Sequence, residues 1–108
     1  MLANFEHTQG LSNVSFNKTV TMFCPLGNDY YTATVYVEFK PKKLMMDYLD
    51  MERYFKDIQG EPLIIEDLTA QVYNKIDEMI TPEKLTVTVH AENATHFPVS
   101  VTKTSTHI

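Results

Sequence analysis

The chain has 108 residues, a net charge of −5 and one cysteine. This length fits a single domain, residues 1–108, and one cysteine excludes an internal disulfide framework and fits a reducing, cytoplasmic compartment. We expect no membrane contact, because no signal peptide is evident and no apolar stretch approaches the roughly 20 residues that span a bilayer. The acidic balance argues against a broad nucleic-acid-binding face, since phosphate binding needs clustered Lys and Arg.

Two pairs of strands are predicted, one at each end of the chain. Residues 1–12 show no periodicity and are expected to form a flexible arm or a short edge strand. Residues 13–23 and 30–39 alternate between apolar and polar side chains, which predicts two strands with one buried face. The short turn between them predicts an antiparallel hairpin. Residues 85–92 and 97–104 alternate in the same way and predict a second hairpin.

The middle of the chain changes to a helical period. Apolar stripes predict helices over about residues 43–57 and 65–80, separated by Gly60 and Pro62. The economical layout is an α+β domain of order ββααββ, an antiparallel four-stranded sheet with two helices on one face. Long β-branched edge strands invite pairing with another subunit. We therefore predict a homo-oligomer whose sheets join edge to edge, into a barrel.

The turn between the first two strands carries the candidate nucleophile. Cys24 precedes Pro25, which favours extended geometry, so we expect Cys24 at the end of a strand. A lone cysteine among polar groups is a candidate nucleophile; the alternative is a small buried apolar side chain. Asp29 ends the same turn and is a candidate for proton transfer, although aspartate is also an ordinary turn residue.

Two further carboxylates follow apolar segments. Glu66 comes after an apolar run, so it is either a water-facing residue of a helix's first turn or an anchor for an amidine-like edge, as in a guanine or pterin. Asp47 is expected on the first helix among apolar neighbours. The four histidines show no tight metal-ligand spacing, and there is no glycine-rich phosphate loop. We predict no metal site and no cofactor.

The order of elements resembles the tunnelling-fold (T-fold) superfamily, whose members bind purines and pterins between subunits. Within it, the chain resembles the nitrile-processing deazaguanine family of QueF reductases and QueF-like amidinotransferases. Four landmarks carry this resemblance: the Phe23-Cys24-Pro25 start, Pro41 after the second strand, Glu66 opening the second helix and Pro82 ending it.

The resemblance implies a role for each candidate residue. Cys24 matches the cysteine that adds to the nitrile of 7-cyano-7-deazaguanine and forms a thioimide. Glu66 matches the glutamate that anchors the base, and Asp47 falls where the reductases have a base-contacting glutamate. Tyr31 occupies the position of the reductases' catalytic aspartate and is expected to line the substrate site. Asp29 lies two residues earlier, where we expect proton transfer to require a rearranged turn.

The chain also departs from the reductases in their cofactor motif. Residues 47–52 replace that motif without its lysines, which removes the cations expected to meet NADPH phosphates. The resemblance therefore favours a QueF-like amidinotransferase, which uses ammonia to convert the nitrile to an amidine, normally on transfer RNA.

Several alternatives remain open from the sequence. The substrate base is either free or part of a nucleic acid, and the acidic balance favours the free base. The other activities are a reductase with a diverged cofactor site and a zinc lyase similar to 6-pyruvoyl or 6-carboxy-tetrahydropterin synthases. A non-catalytic oligomer that binds a purine is the remaining possibility.

Overall fold

The computed structural model describes residues 4–5, 9–92 and 97–105. Along the chain these form β1 Asn4–Phe5, β2 Val14–Cys24, β3 Asp29–Lys40, β4 Met45–Met46, α1 Tyr48–Ile58, α2 Ile65–Ile80, β5 Lys84–Ala91 and β6 Val99–Thr104. None of these helices is long and apolar enough to cross a membrane.

The main sheet has four antiparallel strands in the order β2-β3-β5-β6. Its first hairpin pairs without interruption from Val14 opposite Phe39 to Cys24 opposite Asp29. Asn28 takes a left-handed conformation, with a φ of 55°, and its N–H donates to the Cys24 carbonyl at 2.8 Å. The two predicted hairpins are therefore confirmed, and this tight turn fixes which residues face each other across the first one.

Alternate residues of the sheet are buried on the face that both helices cover. The buried set includes Ala33, Val35 and Val37 of β3, Val87 and Val89 of β5, and Phe55, Leu68, Val72 and Ile76 of the helices. Hydroxyl side chains cover the opposite face, where Thr88 and Thr102 hydrogen-bond at 2.9 Å. The predicted α+β layout is confirmed.

The first helix begins later than predicted. We expected it from about residue 43, with Asp47 inside it, but α1 begins at Tyr48 because the Asp47 side chain caps it by accepting from the Leu49 N–H at 2.9 Å. The two preceding methionines form β4, which pairs with β1. Asn4–Phe5 is therefore the short strand expected within residues 1–12, whereas the predicted loop at 93–96 lies outside the described residues.

The segment between the helices runs along the outer edge of β2. The Gly60 N–H donates to the Thr21 carbonyl at 2.8 Å, and the Phe23 N–H donates to the Glu61 carbonyl at 3.0 Å. The Leu63 N–H then donates to the Phe23 carbonyl at 3.0 Å. Because these bonds end beside Phe23, the first turn of α2 starts next to the end of β2.

Candidate active site

Cys24 is the last residue of β2 and is partly exposed. It has the same parity as the buried Met22, so its side chain lies on the helix-covered side of the sheet. The Gly27 N–H donates to its Sγ at 3.4 Å. A backbone donor from the turn thus already points at the sulfur, where negative charge forms when the thiol ionises.

Asp29 is the direct cross-strand partner of Cys24. Directly opposed residues in an antiparallel pair place their side chains on the same face, with Cβ atoms about 4.5–5.5 Å apart. The Asp29 Oδ1 accepts from the Tyr30 N–H at 2.7 Å, and the side chain is exposed. The carboxylate and the thiol are therefore neighbours in the turn as it stands, and the rearrangement expected from the sequence is not needed to bring them together.

Tyr31 is buried beneath this turn, with 5% of its surface exposed. Its hydroxyl donates to the Leu63 carbonyl at 2.5 Å. Burial, and then the negative charges of Cys24, Glu66 and Asp67, raise the pKa of Tyr31 to about 12. Met22, two residues before Cys24, lies opposite Tyr31, and Leu63, three residues before Glu66, accepts from the Tyr31 hydroxyl, so the structure places both predicted site residues near this phenol.

Glu66 lies in the first turn of α2 and is exposed. A carboxylate is favourable there, because unpaired backbone N–H groups give the helix start a partial positive charge. The N-cap residue Ile64 offers no side-chain hydrogen bond to these N–H groups. The Glu66 carboxylate is therefore open to solvent at the start of α2, which lies next to the end of β2.

Within one chain, Asp47 lies away from Cys24, Asp29 and Glu66. Helix α1 runs alongside β2: the Tyr48 ring contacts the Phe16 ring, with centroids 6.3 Å apart, and the Gln59 side chain accepts from the Thr21 N–H at 2.9 Å. Asp47 therefore lies level with Phe16, eight residues before the end of β2. That separation is roughly 26 Å along a strand. The structure does not bring Asp47 together with the other predicted site residues in a single subunit.

Metal ligands do not cluster in the described part of the chain. Within residues 9–92 and 97–105, no group of three or more His, Cys, Asp or Glu side chains is placed to hold a metal ion. The one histidine described there is His90, which bonds Ser100 Oγ at 2.6 Å and Glu92 Oε1 at 2.8 Å. It is a hydrogen-bonded surface residue.

The chain matches a known protein in structure but not in sequence. In sequence, neither a protein-family model nor a curated protein matches the chain. In structure, the crystal structure of the archaeosine synthase QueF-Like in the apo form matches with a TM-score of 0.83, covering 91% of this chain and 97% of that one. The two proteins share one fold. At 19% identity this likeness establishes the fold alone, and it confirms the T-fold resemblance at that level.

Sequence reasoning missed the backbone groups of this site. The Gly27 N–H and the Leu63 carbonyl contact Cys24 and Tyr31, but any residue type supplies such groups. The pairing of the inter-helix segment with β2 was missed for the same reason. Gly60, with a φ of 77°, signalled a turn there but not its tertiary partner.

Proposed function

We propose that this protein is a QueF-like enzyme that converts the nitrile of 7-cyano-7-deazaguanine to an amidine with ammonia. The observation that supports the proposal is the direct cross-strand pairing of Cys24 and Asp29, together with the start of α2, which carries Glu66, beside the end of β2 in a T-fold sheet. Addition to a nitrile on a guanine-like ring requires a nucleophile, a proton donor and a group that holds the ring in place.

The chemistry proceeds in two balanced steps. The Cys24 thiolate attacks the nitrile carbon, one carbon–nitrogen π bond breaks, and Asp29 delivers a proton to the nitrogen, which gives a thioimide. Ammonia then adds to the same carbon, the carbon–sulfur bond breaks with its electron pair returning to sulfur, and the proton lost from the added nitrogen returns to Asp29. The products are the amidine and the free Cys24 thiolate. Neither step needs an electron donor, so NADPH has no part in it.

Glu66 anchors the base in this proposal. An ionised carboxylate accepts two hydrogen bonds from the ring N–H and amino group of a guanine-like edge, and such charge-assisted pairs are roughly twice as strong as neutral ones. The exposure of Glu66 leaves its oxygens free to face a ligand rather than the core.

The charge at this end of the sheet favours ammonia over NADPH. The carboxylates at the end of the sheet that carries Cys24 are Asp29, Glu61, Glu66, Asp67 and Glu92. Within the described stretches 19–34, 59–72, 86–92 and 97–102, which form this end, no Lys or Arg occurs. Negative surface attracts the ammonium ion that supplies ammonia and stabilises the cationic amidinium product, whereas it repels the phosphates of NADPH.

The same charge favours a free base as substrate. A protein that binds a polynucleotide neutralises its phosphates with Lys and Arg, and carboxylates around the reacting group oppose that binding. A free deazaguanine carries no phosphate, so it meets no such repulsion. We therefore propose that the nitrile is processed before the base enters a nucleic acid.

Intact-mass spectrometry with free 7-cyano-7-deazaguanine tests the proposal. We expect a covalent adduct of one base per chain, its loss with release of the amidine when ammonium is added, and no adduct in Cys24→Ala. Bound base without any adduct would identify a binding protein instead. An NADPH-dependent amine product would identify a reductase, and tightly bound zinc with lyase activity on a pterin precursor would identify the pterin enzyme.

A further inference from the structure

Leu63 is held by both of its backbone polar groups. Its N–H donates to the Phe23 carbonyl of β2 at 3.0 Å, and its carbonyl accepts from the Tyr31 hydroxyl of β3. Leu63 thus joins the two strands that carry Cys24 and Asp29, and it precedes Glu66 by three residues.

This attachment matters because α2 begins without a side-chain cap. Ile64 is its N-cap residue and supplies only its backbone carbonyl, which accepts from the Leu68 N–H at 2.9 Å. Helix starts without side-chain caps fray more readily. The start of α2 is therefore held from outside the helix by the bonds of Leu63, in addition to the packing of Ile65 and Leu68 in the core.

Tyr31 supplies a side-chain hydrogen bond to this attachment. It is buried, its hydroxyl proton is directed at the Leu63 carbonyl, and its raised pKa keeps that proton in place at neutral pH. A phenol in this state holds a carbonyl well but is a poor source of protons for a reaction.

We propose that Tyr31 is a positioning residue, which fixes the Glu66 carboxylate relative to Cys24 by holding the Leu63 carbonyl. This inference rests on the proposed function. It assigns proton delivery to Asp29 and the positioning of the Glu66 carboxylate to Tyr31, although Tyr31 occupies the position of the reductases' catalytic aspartate.

Tyr31→Phe tests the proposal, because it removes only the hydroxyl and keeps the buried ring. Tyr36→Phe makes the same change at an exposed position of the same strand, on the opposite face. Thr69→Val removes another buried hydrogen bond near the start of α2, from Thr69 Oγ to the Ile65 carbonyl at 2.8 Å. It therefore controls for a general loss of stability.

We expect Tyr31→Phe to raise the Kd of the nitrile base about fivefold to tenfold, which corresponds to the roughly 1–1.4 kcal/mol of one lost hydrogen bond to a partly buried carbonyl. Adduct formation at saturating base should keep its pH profile. Amide hydrogen exchange over residues 61–68 should be faster than in the wild type and in Tyr36→Phe.

Four outcomes would overturn the proposal. A hundredfold loss of maximal rate at unchanged Kd would make Tyr31 a proton donor, as general acids contribute about this much. An equal rise of Kd in Thr69→Val would show that Tyr31→Phe weakens binding only through a general loss of stability. Unchanged binding in Tyr31→Phe, while the wild type still forms the adduct, would remove the positioning role and leave the proposed function standing. A wild-type protein that takes up no nitrile base overturns both.

Discussion

Cys24 and Asp29 face each other directly across the end of the β2–β3 hairpin, and the Gly27 N–H of the same turn donates to the Cys24 sulfur. This pairing gives the turn a nucleophile and an acid on one face of the sheet. The position of the Asp29 carboxyl group therefore depends on the length of the turn, since one residue more or less would move Asp29 to the other face of the sheet.

Asp29→Asn should slow adduct formation without weakening base binding. The amide keeps the shape of the carboxyl group and still accepts from the Tyr30 N–H, but it has no acidic proton to transfer. We expect a loss of about a hundredfold or more in the rate of thioimide formation, as is usual for general acids. Stopped-flow or quenched mass measurements would give this rate. The control is Asp67→Asn, and an equal slowing in both variants would contradict the role.

Glu66→Gln should weaken binding of the base. Glutamine replaces an ionised acceptor of two hydrogen bonds by one acceptor and one donor, which loses about 1.5–3 kcal/mol, or roughly tenfold to a hundredfold in Kd. Asp67→Asn is the matched control, because Asp67 is the next residue of the same helical turn and is also exposed. Calorimetry with the free base would measure both. A similar change in the two variants would show that overall charge, not an anchor, governs binding.

The sequence predicted the parts of the fold that periodicity controls. Alternation located β2 and β3, placed Tyr31 on the buried face, and helical spacing gave the bounds of α2. It failed at the start of α1, because the apolar residues Met45 and Met46 continue a helical pattern although they pair with β1. Local patterns carry no record of such distant partners.

For the candidate site, the sequence predicted which side chains take part but not how they are placed relative to one another. Cys24, Asp29 and Glu66 were identified from residue type and resemblance, whereas their mutual placement depends on backbone bonds at Thr21, Phe23 and Leu63. Those bonds are specified by how the segment packs, not by which residues supply them.

The stability of the folded chain should depend on Tyr31 at high pH. The pKa of Tyr31 is raised from 10.0 to about 12 in the folded state. Below pH about 10 the phenol is protonated in both states, so its contribution is constant. Between pH about 10 and about 12 the unfolded chain loses the proton first, and the free energy of unfolding falls by up to about 1.4 kcal/mol per pH unit.

Urea denaturation of the wild type and Tyr31→Phe from pH about 8 to about 11.5 would measure this. We expect the difference in unfolding free energy between the two proteins to be constant below pH about 10 and to shrink above it. A difference that stays constant over the whole range would show that the phenol ionises equally in both states.

Asp47 should have two separable roles. As the N-cap of α1 it stabilises the helix, so Asp47→Ala should cost about 1 kcal/mol, whereas Asp47→Asn should keep the cap. Because Asp47 lies far from Cys24 in its own chain, we predict that it contacts the base bound to a neighbouring subunit. Asp47→Asn should then unfold normally but bind the base about tenfold more weakly.

Mixing subunits checks the second role of Asp47. A Cys24→Ala protein co-assembled with a protein carrying Asp47→Asn and Glu66→Gln should regain no efficient site. With Asp47→Asn alone on the Cys24-bearing chain, intact Asp47 comes from the Cys24→Ala chain and should restore adduct formation at low base concentration. Unchanged base affinity in Asp47→Asn would leave Asp47 as a cap only.

Assembly should depend on the free part of the β2 edge. Thr21 and Phe23 direct their backbone groups at the inter-helix segment, so by alternation Asn17 directs its own outward, where no strand among the described residues pairs with it. On β6 the matching outward positions are Ser100, Thr102 and Thr104. We predict that β2 of one subunit pairs with β6 of the next, which continues the sheet around a closed ring.

Asn17→Pro tests this arrangement, because proline removes the outward N–H and is tolerated on an edge strand. We expect monomers by sedimentation velocity, whereas Asn17→Ser, which keeps the N–H, should sediment as the wild type does. The monomer should retain its circular dichroism spectrum but lose tight base binding, since Asp47 of a neighbour is then missing. A Pro variant with the wild-type mass would show that the subunits associate through another surface.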